Sequence, residues 1–520
     1  MAKVVILGAG LTGLSTAYHL EKNGCFDFKI YEKEATAGGL CRSVTDQGFT
    51  FDYTGHLLHS NDPYFTEFLT NVVGLDELEI IKRRSFIRLH DSYTPFPIQV
   101  NLHGLPTQVI IDCIEGFMDR PKTKTTPKSF YDWALQKFGK GLTDLFFVPY
   151  QQKLFSYDIH QITASWTGRF VPETSLKAIL QGSLVAPKDD VIGYNANFYY
   201  PKKGGIQFWV NKLAEKITTP IHTGYTVEQV DLVNKIVTFS NGDFEPFETL
   251  VSTLPLDRLL GLIKESASTS LTKASKKLLC NSVINFNLGI AKPNLSDKHW
   301  IYLPEDKYIP YRLGFYNNFS KQMAPENCSS MYGEIAFLKR LPQPSTQLVA
   351  SAVTQMQELF DFGASDIITQ RVMHIDRAYV IYDFWREKNL PALHTALINE
   401  NVHSIGRYGA WKYASMQESL LDGKAMAEQL LNINQDASPA ISAQPLAANT
   451  TTTEPSPKTT PDSQDITTKN HATFDFQESP ANMLSELSYK ASSKVETQDG
   501  ALAHDVTFID LPTPEQEYQS

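Results

Sequence analysis

The chain has 520 residues, 42% of them hydrophobic, and a formal net charge of -10 at pH 7. This length allows two or three domains and a large core, while the negative charge argues against a nucleic-acid partner. No apolar run approaches the roughly 20 residues of a membrane-spanning helix. The cysteines are scattered and form no CxxC pair, so we expect a cytoplasmic protein without a metal site or a disulfide framework.

The first predicted element is a buried strand at residues 4–7, followed by a glycine-rich turn and a helical pattern. The turn has the spacing GxGxxG. Gly8 permits the tight turn, Gly10 lets the backbone approach a pyrophosphate, and Gly13 lets the helix pack closely on the strand. Leu11 and Thr12 open the helix, whose free N–H groups face the phosphates. The motif predicts a dinucleotide-binding strand, loop and helix.

A second strand at residues 28–31 ends at Glu32. A carboxylate at this distance from the glycines accepts hydrogen bonds from ribose hydroxyls. Lys33, the next residue, is a further candidate cofactor contact. The strand and its acid strengthen the nucleotide-binding interpretation, since GxGxxG alone is a weak signal.

The segment at residues 37–43 resembles the second glycine motif of the amine-oxidase-like flavoproteins. The resemblance implies FAD rather than NAD, with the pyrophosphate and ribityl chain lined by Gly38, Gly39, Leu40 and Arg42. A hairpin at residues 237–242 and a strand from residue 249 resemble the segment in which the chain of these flavoproteins re-enters the nucleotide-binding domain. Val227 is then the candidate backbone contact to adenine, although it also fits the core.

Further segments, in the same order, resemble the UDP-galactopyranose mutases. They are residues 51–56, 95–99, 146–155, 166–171, 194–205, 300–320 and 406–413. The resemblance implies a redox-neutral isomerase, in which N5 of reduced FAD attacks the anomeric carbon of a UDP-hexose and UDP leaves. The FAD is held non-covalently and is reduced, for example, by NAD(P)H.

The same resemblance implies roles for individual residues. The catalytic candidates are Arg169 and Arg312, because a leaving diphosphate needs cations at fixed geometry, and His56, which would lie over the flavin ring and tune its N5. Substrate contacts are expected from Phe96, Gln99, Phe155, Asn195, Trp300, Tyr302, Tyr379 and Tyr413. Further flavin contacts are expected from Gly55, His56, Gly406, Arg407, Tyr413 and Gln417.

The sequence departs from the mutase pattern mainly at substrate recognition. Thr54 replaces a glycine before His56, Ile98 replaces an aromatic residue, Gln151 replaces an asparagine, and Phe155 replaces a tryptophan. Stacking by Ile is weaker than stacking by an aromatic ring, so the nucleotide specificity stays open. Two alternatives follow: an FAD-dependent oxidoreductase of the amine-oxidase, protoporphyrinogen-oxidase or desaturase type, and a non-catalytic FAD-bearing interaction protein.

The expected architecture is an α/β fold over residues 1–434. It comprises a discontinuous Rossmann-like FAD domain, a helical insertion over about 62–190, and a mixed sheet over about 280–390 that forms the substrate region. The FAD domain is assembled from residues of about 1–60, 205–260 and 395–434. Residues 435–520 are low in complexity and predicted to be disordered, with docking of a protein partner as the alternative. The oligomeric state is not predicted.

Overall fold

The computed structural model describes residues 4–123, 125–167, 171–186, 197–264 and 269–435. The strands are β1 (Val4–Leu7), β2 (Phe28–Tyr31), β3 (Ser43–Asp46), β4 (Phe49–Asp52), β5 (Leu78–Lys82), β6 (Ser85–Leu89), β7 (Ser92–Pro95), β8 (Asn197–Pro201), β9 (Ile221–His222), β10 (Val227–Asp231), β11 (Ile236–Phe239), β12 (Phe244–Pro246), β13 (Thr249–Ser252), β14 (Asn281–Ile290), β15 (Trp300–Tyr302), β16 (Arg312–Phe315), β17 (Ser329–Leu338), β18 (Ile367–Ile375) and β19 (Val402–Ser404). The helices are α1 (Leu11–Lys22), α2 (Pro63–Val72), α3 (Thr107–Met118), α4 (Phe130–Leu142), α5 (Val148–Phe155), α6 (Leu176–Leu184), α7 (Gln207–Ala214), α8 (Leu256–Leu262), α9 (Thr269–Ser275), α10 (Thr346–Phe360), α11 (Phe384–Asn399), α12 (Gly406–Gly409) and α13 (Met416–Gln435).

A parallel sheet joins three distant parts of the chain in the order β19-β13-β1-β2-β9. All four residues of β1 are buried, as expected for a continuous apolar strand with parallel neighbours on both sides. Leu7, the last residue of β1, lies beside Ser252 of β13 and Tyr31 of β2. The carboxyl ends of these strands therefore meet at one edge, where ligands of open α/β sheets bind.

A larger sheet runs in the order β18-β14-β17-β16-β15-β6-β7. Its pairs are antiparallel except for β15 with β6. Every residue of β14 is buried, which places this strand at the centre of the core. Strands β6 and β7, at residues 85–95, thus extend the mixed sheet that was predicted over about residues 280–390. The register of β16 with β17 sets Arg312 opposite Glu334.

Helices α2 to α6 lie between β4 and β8 in the sequence, and strands β5, β6 and β7 separate α2 from the other four. Asp62 caps α2 by accepting from the backbone N–H of Phe65, and Ser129 with Asp132 forms a capping box at α4. The structure confirms the predicted mixed α/β fold class. Within the described residues, none of the helices combines the length and apolar character needed to cross a membrane.

Candidate cofactor and substrate site

A large cavity of about 420 Å³ opens at the carboxyl edge of the parallel sheet. Its wall is formed by residues from the amino-terminal loop, the second glycine motif, the β4–α2 loop and the α12 region. The sequence-predicted cofactor residues along it are Gly8, Gly10, Leu11, Thr12, Glu32, Lys33, Gly38, Gly39, Leu40, Arg42, Gly55, His56, Val227, Gly406, Arg407 and Tyr413.

The two glycine motifs meet in this wall. Gly10 and Gly38 form a β-bridge, and the Gly38 N–H donates to the Ala9 carbonyl at 2.9 Å. A Cβ on Gly39 would stand 3.3 Å from the Gly10 Cα, and the φ of Gly39 is +59°. Helix α1 begins at Leu11 without a capping side chain from the described residues. Its first N–H groups are therefore available to a phosphate.

Glu32 is buried at the end of β2. Its Oε2 accepts from the Ala9 N–H at 2.8 Å, and its Oε1 accepts from the Glu34 N–H at 3.0 Å. These bonds hold the carboxylate at the cavity wall and leave lone pairs for ribose hydroxyls. Arg42 is held by the Gly39 carbonyl at 2.8 Å and by Glu34 at 3.2 Å, which fixes the second glycine motif.

The α12 region closes the cavity from the other side. A Cβ on Gly406 would stand 2.6 Å from Thr12 Oγ1, so this backbone lies directly on the start of α1. The half-buried Arg407 donates to the carbonyls of Ala414 and Ala378 at 2.6 and 3.3 Å. Its guanidinium carbon lies 4.8 Å from the ring centroid of Tyr413.

The charge of Arg407 matters because the described part of the chain places no carboxylate within ion-pair distance of it. Tyrosine rings surround it instead, with centroids at 5.4 Å for Tyr379 and 5.6 Å for Tyr408. A cation in a cavity wall with no nearby carboxylate favours an anionic ligand. Arg407 therefore suits negative charge on a reduced flavin ring.

His56 lies in the loop after β4. Thr54 adopts a positive φ of 71°, and a Cβ on Gly55 would stand 2.3 Å from the Tyr332 hydroxyl, so the loop packs tightly on the large sheet. Burial and the nearby Arg407 lower the pKa of His56 to about 4. The imidazole is therefore neutral at physiological pH, and its buried Nδ1 lacks a hydrogen-bond partner among the described residues.

A second, smaller cavity of about 50 Å³ adjoins the first. Arg312, Tyr379 and Tyr413 line both cavities and so mark their junction. Three further predicted substrate residues line the smaller cavity, namely Phe96, Gln99 and Tyr302. The Phe96 and Tyr302 ring centroids are 4.9 Å apart.

Arg312 is held in place by Glu334 from the neighbouring strand. Its Nε and Nη2 donate to Glu334 Oε1 at 3.1 and 2.9 Å, and the Tyr311 hydroxyl donates to Oε2. Glu334 is fully buried. Glu334 raises the pKa of Arg312, although burial opposes it, so the guanidinium stays charged at the junction.

Other predicted site residues lie elsewhere. Phe155 and Trp300 are buried and line neither cavity, although the Phe155 ring packs on Tyr379 at 5.7 Å. Gln417 also lies off both linings and accepts from the backbone N–H groups of Asn61 and Asp62. Gly13 sits behind the loop, where a Cβ would stand 1.9 Å from the Gly8 carbonyl oxygen. Arg169 and Asn195 lie outside the described residues.

The structure adds residues that the sequence interpretation gave no role. Glu334 interrupts an otherwise buried apolar strand, and such an interruption is the signal that a search for buried charge would use. Tyr150 and Gln151 line the smaller cavity from α5. Arg258 and Arg377 line the larger cavity near β18 and α8, and no local motif marks them. The described residues bring together no cluster of metal-ligating side chains.

The family model for flavin containing amine oxidoreductases matches residues 11–431. The chain belongs to this family. Among curated relatives, a 4,4'-diapolycopene oxygenase of Methylomonas sp is 25% identical over 337 residues, which cover 58% of this chain and 65% of that protein. A 4,4'-diaponeurosporene oxygenase of Staphylococcus haemolyticus is 23% identical over 74% of this chain and 83% of that protein.

Solved structures share the fold over most of the chain. A reduced UDP-galactopyranose mutase matches with a TM-score of 0.78 and 26% identity, over 84% of this chain and 95% of that one. A protein described as a putative protoporphyrinogen oxidase, from Exiguobacterium sp. 255-15, matches with a TM-score of 0.65 at 14% identity, which shows the fold alone.

The family and the mutase structure imply FAD as the cofactor. The residues present fit it. The close backbone approach at Gly10 and Gly39 suits a pyrophosphate, and the held carboxylate of Glu32 suits a ribose. The charge of Arg407, which has no carboxylate partner among the described residues, suits a flavin ring.

Proposed function

We propose that this flavoenzyme is an isomerase of nucleotide sugars, resembling UDP-galactopyranose mutase, with a UDP-hexose as its substrate. The observation that carries the proposal is the position of Arg312. This buried cation lines both cavities, between the flavin pocket and a smaller aromatic pocket. A diphosphate placed there would have the sugar on the flavin side and the nucleoside on the other side.

When bound and reduced, the flavin supplies a nucleophilic N5 to the anomeric carbon of the sugar. The chain's own residues orient the substrate and stabilise charge. Arg312 neutralises the departing diphosphate, and the hydroxyls of Tyr302, Tyr379 and Tyr413 donate to its oxygens. Neutral His56 borders the flavin pocket, where its Nδ1, which has no hydrogen-bond partner among the described residues, can bond to the cofactor.

Phe96 and Gln99 contact the nucleoside in this proposal. Arg169 and Asn195 remain candidate contacts to the diphosphate and nucleotide, on the strength of the sequence resemblance. Phe155 supports the pocket from behind by packing on Tyr379, whereas Gln417 and Trp300 line neither cavity. The net reaction is redox-neutral, with reduction of the flavin by NAD(P)H as the activating step.

A second candidate function is net oxidation of a substrate, because the curated relatives quoted above are named as oxygenases. The structural match to the mutase covers more of the chain and favours isomerisation. Arg312 keeps a charged guanidinium at the junction of the two cavities, where Glu334 offsets only part of its charge, and this favours an anionic substrate over a hydrocarbon.

The deciding experiment incubates the FAD-loaded protein with dithionite and UDP-galactopyranose under anaerobic conditions. Chromatography of the products should show the furanose isomer, with no net consumption of reductant. Arg312→Lys should lower kcat by at least ~10-fold, because a point charge replaces a bidentate fork. Arg84→Lys, at a half-exposed surface ion pair, is the matched control and should retain full activity.

Absence of isomer formation across a panel of nucleotide hexoses, despite bound reduced FAD, would overturn the proposal. Oxidation of the substrate, with bleaching of oxidised flavin under anaerobic conditions, would establish the second candidate instead. Arg169→Lys in the same assay tests the residue that lies outside the described part of the chain.

A further inference from the structure

The open end of the hairpin formed by β3 and β4 carries two segments of the larger cavity. Ser43, the first residue of β3, is paired with Asp52, the last residue of β4. The chain enters this pair from the second glycine motif, which ends at Arg42, and leaves it through Tyr53 and the loop of His56. These last three residues line the larger cavity, whereas neither member of the pair does. The pair therefore lies directly behind two segments of the cavity wall.

Asp52 is a buried carboxylate that is held by hydrogen bonds. It is 0% exposed, and none of the described cations forms an ion pair with it. Its Oδ1 accepts from the Ser43 hydroxyl at 2.6 Å and from the Ile206 N–H at 3.1 Å, and its Oδ2 accepts from the Tyr200 hydroxyl at 2.5 Å. Burial raises the pKa of Asp52 to about 6 although the three donors oppose the rise, so the carboxyl is ionised at pH 8. A buried charge is costly without such donors.

The hydrogen bonds fix the pair to the elements around it. Two donors to the carboxylate lie on β8 and at the start of α7. The Ser43 N–H donates to Gln207 Oε1 at 3.0 Å, and the Gln207 N–H donates back to Ser43 Oγ at 3.2 Å. The backbone carbonyl of Asp52 accepts from Asn285 Nδ2, on the central strand β14, at 3.1 Å. One residue pair thus ties the hairpin to β8, α7 and the large sheet.

We propose that Asp52 is a positioning residue for the cofactor, which holds the second glycine motif and the His56 loop at the spacing that bound FAD requires. Its carboxylate lines neither cavity, so it acts through Ser43 on one segment and through its own backbone on the other. Ligand contacts depend on such support from behind, because a small displacement of a contact weakens it. The inference concerns the binding of FAD and applies equally to both candidate reactions.

The test measures the dissociation constant of FAD and the visible circular dichroism of the bound flavin in the full-length protein at pH 8. Asp52→Ala removes all three acceptor bonds. It should raise the dissociation constant about 10- to 100-fold, the range seen for residues that orient metal ligands from behind, and change the dichroism. Asp52→Asn keeps an oxygen for Ser43 and Ile206 and turns its amide N–H toward the Tyr200 oxygen. It should bind FAD within about 5-fold of wild type, because one hydrogen bond at most is altered.

Ser43→Ala tests the same link if Asp52→Ala does not fold. It removes one bond of the three, so we expect the dissociation constant of FAD to rise about 5-fold. Asp231→Ala is the matched control. Asp231 is 9% exposed and lines neither cavity, and its Oδ1 accepts from the N–H groups of Val233 and Asn234, both at 3.0 Å. This variant should lose stability and keep the wild-type affinity and dichroism.

Two results would overturn the inference. If Asp52→Ala and Ser43→Ala lose stability but keep the wild-type affinity for FAD, as expected of Asp231→Ala, the carboxylate serves the fold alone. Equal losses of affinity in Asp52→Ala and Asp52→Asn would show that the charge, and not the hydrogen bonds, holds the cofactor. Because FAD binding is measured without substrate, a failure to isomerise nucleotide sugars would leave this inference standing.

Discussion

Arg312 and Glu334 face each other across β16 and β17, and the Nε and Nη2 of Arg312 both donate to the same oxygen, Glu334 Oε1. The other carboxylate oxygen is occupied by the Tyr311 hydroxyl. The carboxylate fixes the guanidinium at the junction of the two cavities, but it also offsets part of its charge. This pair therefore links the stability of the sheet to the binding of an anion.

Glu334→Gln should separate these two effects. The amide keeps an acceptor for Arg312 but removes the counter-charge, so we expect the free energy of unfolding to fall by about 3 kcal/mol. The affinity for pyrophosphate should rise several-fold, because the charge of Arg312 is no longer offset. Denaturant unfolding and calorimetry measure the two quantities. Glu326→Gln, at an exposed position, should change neither the stability nor the affinity. Weaker pyrophosphate binding in Glu334→Gln would contradict this prediction.

Most of the candidate cofactor residues predicted from sequence patterns line one cavity in the structure, for a physical reason. The motifs at residues 8–13, 38–42 and 406–407 each place several contacts within one short stretch, where local backbone geometry decides the outcome. The structure brings all three to one cavity. The strand and helix patterns around them likewise predicted the α/β fold class.

The substrate end was harder to predict, because it depends on pairings between distant strands. Nothing in the local sequence says that Glu334 lies opposite Arg312, since that follows from the register of β16 with β17. Gln151 entered the sequence argument only as a departure from a family motif, and its unpaired oxygen is visible only once the cavity is built. Trp300 shares a face of β15 with Tyr302, but only Tyr302 lines the smaller cavity, so the strand pattern alone does not distinguish the two residues.

Gly10→Ala should block the cofactor without unfolding the chain. Gly10 has an ordinary φ of -71°, and an added Cβ would stand 3.8 Å from the nearest heavy atom, so the protein itself tolerates it. The methyl group would occupy the space through which a pyrophosphate approaches the backbone. We expect near-normal thermal stability of the apoprotein and loss of bound FAD, measured by absorbance at the flavin maximum.

Gly24→Ala is an informative control for this prediction. Gly24 has a φ of +79° with open space around it, so alanine there strains the backbone without obstructing a ligand. It should lower stability by about 1 kcal/mol and keep its flavin. Normal FAD content in Gly10→Ala would show that the pyrophosphate does not lie against the backbone of Gly10.

The neutral state of His56 predicts an effect of pH on stability. Burial and Arg407 lower its pKa from 6.5 to about 4 in the folded protein. As the pH falls, the unfolded chain takes up this proton first, so stability is lost between about pH 6.5 and pH 4. In His56→Asn this contribution is absent.

We therefore expect acidification from pH 7 to about pH 4.5 to cost wild-type protein roughly 2 kcal/mol more than His56→Asn. Denaturant unfolding at the two pH values measures the difference. His160→Asn, at an exposed position, should follow the wild-type curve. Equal losses in wild type and His56→Asn would mean that the folded and unfolded states bind a proton at His56 equally readily.

Lys153 should control the loop that carries the substrate residues. Its buried ammonium donates to the carbonyls of Leu303, Glu305, Tyr308 and Pro310 at 2.8, 3.0, 2.6 and 3.0 Å. This loop joins β15, which ends at Tyr302, to β16, which begins at Arg312. One side chain thus ties together the connection between two proposed diphosphate contacts.

Lys153→Met keeps the aliphatic stem and removes the donors, which leaves the loop carbonyls unpaired or open to water. We expect faster amide hydrogen exchange across residues 303–311, an unfolding free energy lower by about 3 kcal/mol, and weaker pyrophosphate binding, with FAD content unchanged. Lys177→Met, at an exposed position on α6, should leave all four quantities at wild-type values.

Unchanged exchange in Lys153→Met would contradict the prediction, because the backbone of residues 303–311 would then keep its conformation without the ammonium. Any weaker binding of pyrophosphate would in that case have another cause. A parallel change in exchange and affinity would show that the position of Arg312 depends on a lysine that never touches the substrate.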